Sequence, residues 1–173
     1  MPRIIKHDKI VDDHWRILVL ADGETPETVA LPAEPTLLPL AVWLARRDAI
    51  LASETPIGVW LDSHQGPEAL AGDVERLAVI GINFPKFTDG RGYSSARLLR
   101  ERFAYRGEIR AIGDVLQDQL FYMRRCGFDA YALRADKDIE RALTALTTFS
   151  DSYQAAADQP HPLFQRRVAR EAA

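Results

Sequence analysis

The chain has 173 residues and a mass of 19.4 kDa, a length that fits one domain with room for a sizeable core. At 47% hydrophobic and 27% charged residues, its composition excludes disordered, collagen-like and disulfide-scaffold proteins. The formal charge of −3 hides a split: residues 1–75 hold 6 Lys/Arg against 13 Asp/Glu, and residues 76–135 hold 11 against 6.

The chain opens on β-prone runs. Arg3, Ile4, Ile5 and Lys6 and then Ile10 and Val11 flank a polar His7-Asp8-Lys9 turn, and the run from Trp15 to Leu20 adds a third strand to this ribbon. Gly23, Pro26, Pro32 and Pro35 make residues 21–36 a connecting loop. Residues 37–51 read as a helix that must end before Pro56. Residues 57–61 are a short apolar strand, 68–76 a short helix, and 77–84 the most continuously apolar strand, as expected of one buried on both faces. Residues 94–103 form a helix, with Ser94 or Ser95 at its cap, and residues 108–112 a strand. Asp114 with Gln117 has capping-box spacing for a helix that runs to Cys126 and closes on Gly127. A strand at 129–133 and a long amphipathic helix at 136–153 complete the series, and residues 154–173 form a partly ordered tail.

Strand and helix alternating through residues 57–153 require parallel strands with right-handed crossovers. The expected fold is therefore α/β, an open sheet or a partial βα barrel, in one domain over residues 1–153 with the N-terminal β-ribbon in front. Ligands in such folds gather at the C-terminal ends of the strands. That rule nominates Asp62 and His64, the loop 85–93, Gly113 and Asp114, and then Arg134 and Asp136.

The richest of these segments is Phe84-Pro85-Lys86-Phe87-Thr88-Asp89-Gly90-Arg91-Gly92-Tyr93-Ser94-Ser95-Ala96-Arg97. Two glycines permit close backbone approach, and the first free N–H groups of the following helix attract an anion beside Lys86, Arg91 and Arg97. A phosphate, sulfate, sulfite or carboxylate held by Lys86, Thr88, Arg91, Gly92, Tyr93, Ser94 and Arg97 is one reading. A plain turn before a capped helix and a protein-contact surface are the others. The segment is neither a Walker loop nor a dinucleotide fingerprint. Asp89 and Asp114 are candidates for acid–base work, although a loop aspartate beside a helix start also serves as a cap.

Other chemistry is sparse. His64 is a possible acid–base group, and no spacing among the four histidines makes a metal site. Cys126 follows Arg124-Arg125 at a helix end, where a packed structural thiol is the simpler reading. As the sole cysteine it rules out an intrachain disulfide. The arginines at 97, 100, 102, 106 and 110 read as a solvated face, with too few aromatics between them for nucleic acid. The 18 Arg against 4 Lys reflect either codon usage or bidentate anion recognition. With no apolar leader and no run near the roughly 18 apolar residues of a membrane span, the expectation is a cytoplasmic protein without membrane contact.

The blocks at 84–94, Ala96-Arg97-Leu98-Leu99-Arg100, Gly113-Asp114-Val115-Leu116-Gln117-Asp118-Gln119-Leu120 and Arg124-Arg125-Cys126-Gly127-Phe128-Asp129, with the neighbourhood of Asp13 to Trp15, resemble an uncharacterised bacterial family. That family is filed as a domain of unknown function and labelled an oxidoreductase involved in sulfite reduction, a label resting on gene neighbourhood with sulfite reductase and cysteine biosynthesis. The resemblance implies an accessory protein of assimilatory sulfite reduction, binding the reductase haemoprotein, its electron donor or a small oxyanion. Sulfite reductases carry sirohaem coupled to a [4Fe–4S] cluster held by four cysteines, which a chain with Cys126 alone does not supply, so the reductase subunit itself is excluded. No flavin or nicotinamide fingerprint is readable, and the cofactor stays unassigned. The alternative is an independent α/β enzyme on an anionic metabolite, with Asp89 or Asp114 as acid–base group. A homodimer through the ribbon or the tail is a further expectation.

Overall fold

The computed structural model describes residues 2–171. Strands β1 (Arg3–Lys6) and β2 (Lys9–Asp12) form an antiparallel hairpin whose turn places His7 at φ 54°. From β2 the chain crosses to the far side of the sheet, where β3 (Arg16–Ile17) lies parallel to β4 (Thr36–Pro39). The third run of the expected ribbon is therefore a separate edge strand. Three more parallel strands, β5 (Ile57–Leu61), β6 (Val79–Phe84) and β7 (Glu108–Gly113), are followed by the two-residue β8 (Ala130–Tyr131). The order β2-β1-β8-β7-β6-β5-β4-β3 makes one eight-stranded, mostly parallel sheet, open and curled into a half-barrel. This is the partial-barrel form of the expected α/β fold.

The curl gives the two faces different jobs. On the helix-covered face Val59, Leu61, Ile80, Ile82, Phe84, Ile109, Ala111 and Tyr131 join one core with Trp43, Leu99, Met123, Phe128 and Ala142. They are contributed at alternate positions of each strand, as the period-2 geometry of a pleated sheet demands. On the concave face space is short. A Cβ on Gly58 would lie 2.5 Å from Leu37 Cδ2 and 2.8 Å from the Val79 carbonyl oxygen, so glycine is what lets these strands close up.

Also on the concave side, Arg110 is only 2% exposed. It donates to Glu108 Oε1 at 2.6 Å and to both carboxylate oxygens of Asp13 at 2.8 and 3.0 Å, while Lys6 Nζ lies 2.8 Å from Glu108 Oε2. A guanidinium out of water needs this full complement of acceptors. Arg110 is thus not part of a solvated face; it ties the residue-13 crossover to the middle of the sheet.

The helices are α1 (Leu40–Leu51), α2 (Arg91–Glu101), α3 (Leu120–Cys126), α4 (Ile139–Ala145) and α5 (Leu163–Glu171). Several differ from their sequence reading for identifiable reasons. The helix expected from residue 37 starts at Leu40, because Leu38 precedes Pro39 and is held extended. Residues 68–76 form two short 3-10 turns, Pro67–Leu70 and Val74–Arg76, on either side of Gly72. The expected strand at 129–133 pairs only over Ala130–Tyr131. The long helix expected at 136–153 is confined to α4, capped by Asp138, whose carboxylate accepts the Arg141 N–H at 3.1 Å. Beyond it Thr147 and Thr148 turn their hydroxyls onto the carbonyls of Thr144 and Ala145, a competition that favours turns over helix. The tail contributes α5, and its 154–159 segment returns to α3, where Arg125 bonds Asp158 at 2.6 Å and the Gln154 carbonyl. Gly127 closes α3 at φ 107°, as expected. Among the described residues no helix is long and apolar enough to cross a membrane.

Candidate functional site

The C-terminal ends of β5, β6 and β7 present a connected polar network. Directly after β5, Asp62 Oδ1 accepts from Asn83 Nδ2 at 3.0 Å and from the Ser63 N–H at 2.8 Å, and its Oδ2 lies 3.3 Å from His64 Nδ1. After β6 the loop folds back on the start of the next unit. The Phe87 N–H donates to Asp114 Oδ2 at 2.9 Å, and the Phe87 carbonyl accepts from Gln119 Nε2 at 2.9 Å. Asp114 Oδ1 takes Arg134 Nη1 at 2.8 Å, and Arg134 also grips Asp136 at 2.6 and 3.1 Å. Four strand-end loops are thereby tied to one another.

This arrangement redistributes the expected roles. Asp114 is not a helix cap: its carboxylate bridges two loops, and Gln119 Oε1 instead accepts the Leu116 N–H at 3.0 Å where the next turn begins. Helix α2 starts at Arg91, three residues ahead of the Ser94 expected at its cap, because Asp89 Oδ1 accepts the Arg91 N–H at 3.2 Å. Ser94 and Ser95 therefore lie inside the helix. Gly92 is buried against the end of β6, where a Cβ would come within 2.7 Å of the Phe84 ring. Beside it Tyr93 stacks edge-on between Phe84 and Tyr122, with ring centroids at 5.3 and 5.0 Å, and burial pushes its phenol above the usual range.

The three expected anion donors take separate courses. Arg91 spends Nε and Nη2 on Asp89, at 2.9 and 2.6 Å, and Nη2 also reaches Ser63 Oγ at 2.9 Å. Its guanidinium holds the Asp89 carboxyl well below the usual carboxylate range, so Asp89 stays ionised and cannot deliver a proton near neutral pH. Arg97 pairs with Glu101 one turn on, at 2.9 Å. Lys86 and Thr88 stand on the exposed loop, and among the described residues Lys86 has no ion-pair partner. Asn83, Ser63 and Gln119 are members that sequence reasoning passed over. The one available signal was Asn83, a lone polar residue near the end of the most apolar run in the chain.

Outside the network, burial comes first among the influences on Cys126 and pushes its thiol up, which fits a packed rather than reactive group. Among the described residues no three His, Cys, Asp or Glu side chains stand together as a metal centre. On the flank between α3 and α4 runs a groove of about 720 Å³, lined by Leu116, Phe121, Tyr122, Lys137, Arg141 and Phe149. Phe121 and Phe149 meet edge-on at 5.0 Å across it. Tyr122 and Phe149 are 57% and 59% exposed, and Phe87 on the nearby loop is 54% exposed.

A family model described as Bacterial protein of unknown function (DUF934) matches residues 58–164. That span runs from β5 into the first turn of α5 and takes in the whole strand-end network. No curated protein and no solved structure matches the chain.

Proposed function

We propose a role for this chain, which belongs to the bacterial DUF934 family of unknown function: it is an accessory protein of assimilatory sulfite reduction that docks on the reductase haemoprotein or on its electron donor. The observation that favours docking over catalysis is the aromatic groove between α3 and α4. Large aromatic side chains left open to water beside cationic Lys137 and Arg141 are the residue types that concentrate at protein contacts. The strand-end network, by contrast, consumes its own charges: Arg91 and Asp89, and Arg134 with Asp114 and Asp136, satisfy one another. This leaves less support for an independent enzyme that uses Lys86, Arg91 and Arg97 on an anionic metabolite. The link to sulfite reduction rests on the sequence resemblance.

The test is a pull-down of the sulfite reductase haemoprotein and of its donor with the purified chain, alongside reductase turnover with and without it. Binding to either protein that weakens at least tenfold in a Tyr122→Ala, Phe149→Ala double variant is the expected result. Absence of contact with both proteins together with an unchanged turnover rate refutes the reading.

A further inference from the structure

We propose that the chain pairs with a second copy of itself through β3, the two strands running antiparallel about a two-fold axis at Leu18. The edges of the sheet are β2 and β3. β2 carries Lys9 and Asp12, both exposed, at its ends, charges of the kind that keep an edge from pairing. β3 lacks this guard. After Arg16 the chain holds no charged residue until Asp22, and Ile17 and Val19 are 44% and 68% exposed.

The hydrogen bonding of this edge is half used. Arg16 and Leu18 turn their N–H groups to β4, donating to the carbonyls of Pro35 and Leu37 at 3.0 Å each. Backbone groups alternate sides along an extended chain, so those of Ile17 and Val19 point away from β4. Nothing among the described residues pairs with them. The alternation persists to Leu20, since Leu18 and Leu20 pack against the core while Ile17 and Val19 stand in water.

This pattern is self-complementary. In an antiparallel pair centred on Leu18, Ile17 of each copy faces Val19 of the other. The outward N–H and C=O groups of the two residues then meet, and each pair exchanges both bonds. The same axis sets Ile17 against Val19 twice, a β-branched cross-strand contact that removes both exposed side chains from water. A slip of one residue would oppose Ile17 to Leu18, whose N–H is already committed to β4. Charge follows the same symmetry. Arg16 is the only Lys or Arg in residues 16–45, a stretch that holds Asp22, Glu24, Glu27 and Glu34. Across the axis it faces Leu20 of the second copy and lies diagonal to Asp22 of that copy, within the reach of a long side chain. Its pair with Glu34, through Nε at 3.1 Å, is exposed on both sides and leaves the Nη groups to spare.

The isolated full chain tests this, and failure here leaves the docking reading untouched. Sedimentation equilibrium from low micromolar to several hundred micromolar is run on the wild type, Ile17→Lys, Val19→Lys and the controls Phe149→Lys and Phe164→Lys, whose side chains are also exposed. The expected result is a monomer–dimer equilibrium, weakened at least tenfold in Ile17→Lys and Val19→Lys and unchanged in both controls. In parallel, wild-type amide exchange is compared at the two ends of the concentration range. The Ile17 and Val19 amides should slow as the concentration rises, whereas the Leu18 amide, already bonded to Leu37, should not. A monomer at every concentration, a dimer that Val19→Lys leaves intact, equal weakening in a control, or Ile17 and Val19 amides indifferent to concentration overturns the proposal. The exchange arm uses the wild type alone and decides the matter even where a variant fails to fold.

Discussion

The two poles of the half-barrel use charge in opposite ways. At the C-terminal ends of the strands, carboxylates and guanidiniums satisfy one another across loops that lie largely open to water. At the N-terminal ends the ion pairs are sunk deeper, as with Arg100 and Asp129. Exposed pairs add little stability, whereas buried groups must be fully partnered or bear a cost. The richest cluster of charged residues in the sequence is therefore a brace between loops.

Four experiments sharpen or break this contrast. The largest effect is expected for Arg110→Ala, which leaves Asp13 without its guanidinium and Glu108 with Lys6 alone; a loss of about 3–5 kcal/mol in urea unfolding is expected. A loss below about 1 kcal/mol would show that this cluster is as wet as the loop network. Next is Gly92→Ala, whose added methyl meets the Phe84 ring and must push α2 off β6, at about 1–3 kcal/mol in the same assay. Asp114→Ala removes the acceptor for the Phe87 N–H and one partner of Arg134, at about 1 kcal/mol. Amide exchange at Phe87 should accelerate, and an unchanged rate would mean the loops hold together without it.

The smallest effect, and the one that sets the poles directly against each other, is a pH dependence. Arg91 lowers the Asp89 carboxyl beneath its usual 3.8, so the folded chain binds fewer protons there than the unfolded one. The stability this contributes is present above about pH 3.8 and is lost as the pH falls. At Asp129 burial comes first and raises the carboxyl despite Arg100, so its sign is reversed: stability falls as the pH rises from 3.8 through the folded value. Carboxyl NMR titration should place Asp89 below 3.8 and Asp129 above it, and a shared midpoint would erase the distinction.

Much of the framework was legible because its causes are local. The apolar run ending in Phe84 is a strand buried on both faces, and Gly127 marks a helix end through its left-handed backbone. What escaped has causes far away in sequence. Arg110 looks like one more surface arginine until Asp13 arrives across the concave face to partner it. Asp114 has the spacing of a cap, yet its carboxylate is claimed by Phe87 and Arg134. The helix beyond Ala145 has the right apolar stripe but carries threonines that prefer their own carbonyls. Of the strand-end site, the loops could be nominated in advance by a rule of α/β folds, while its pairing scheme depends on which loop folds onto which.

The placement of β1 bears on how the chain is made. Ile5 leaves the ribosome long before Tyr131, the residue it pairs with across the sheet. Until then the hairpin offers β1 as an unpaired apolar edge, the kind of surface that recruits other chains. Because β1 closes the sheet against β8, synthesis of β8 is the step that removes this hazard. A nascent chain halted before β8 is therefore expected to be far more prone to aggregation than one halted after it.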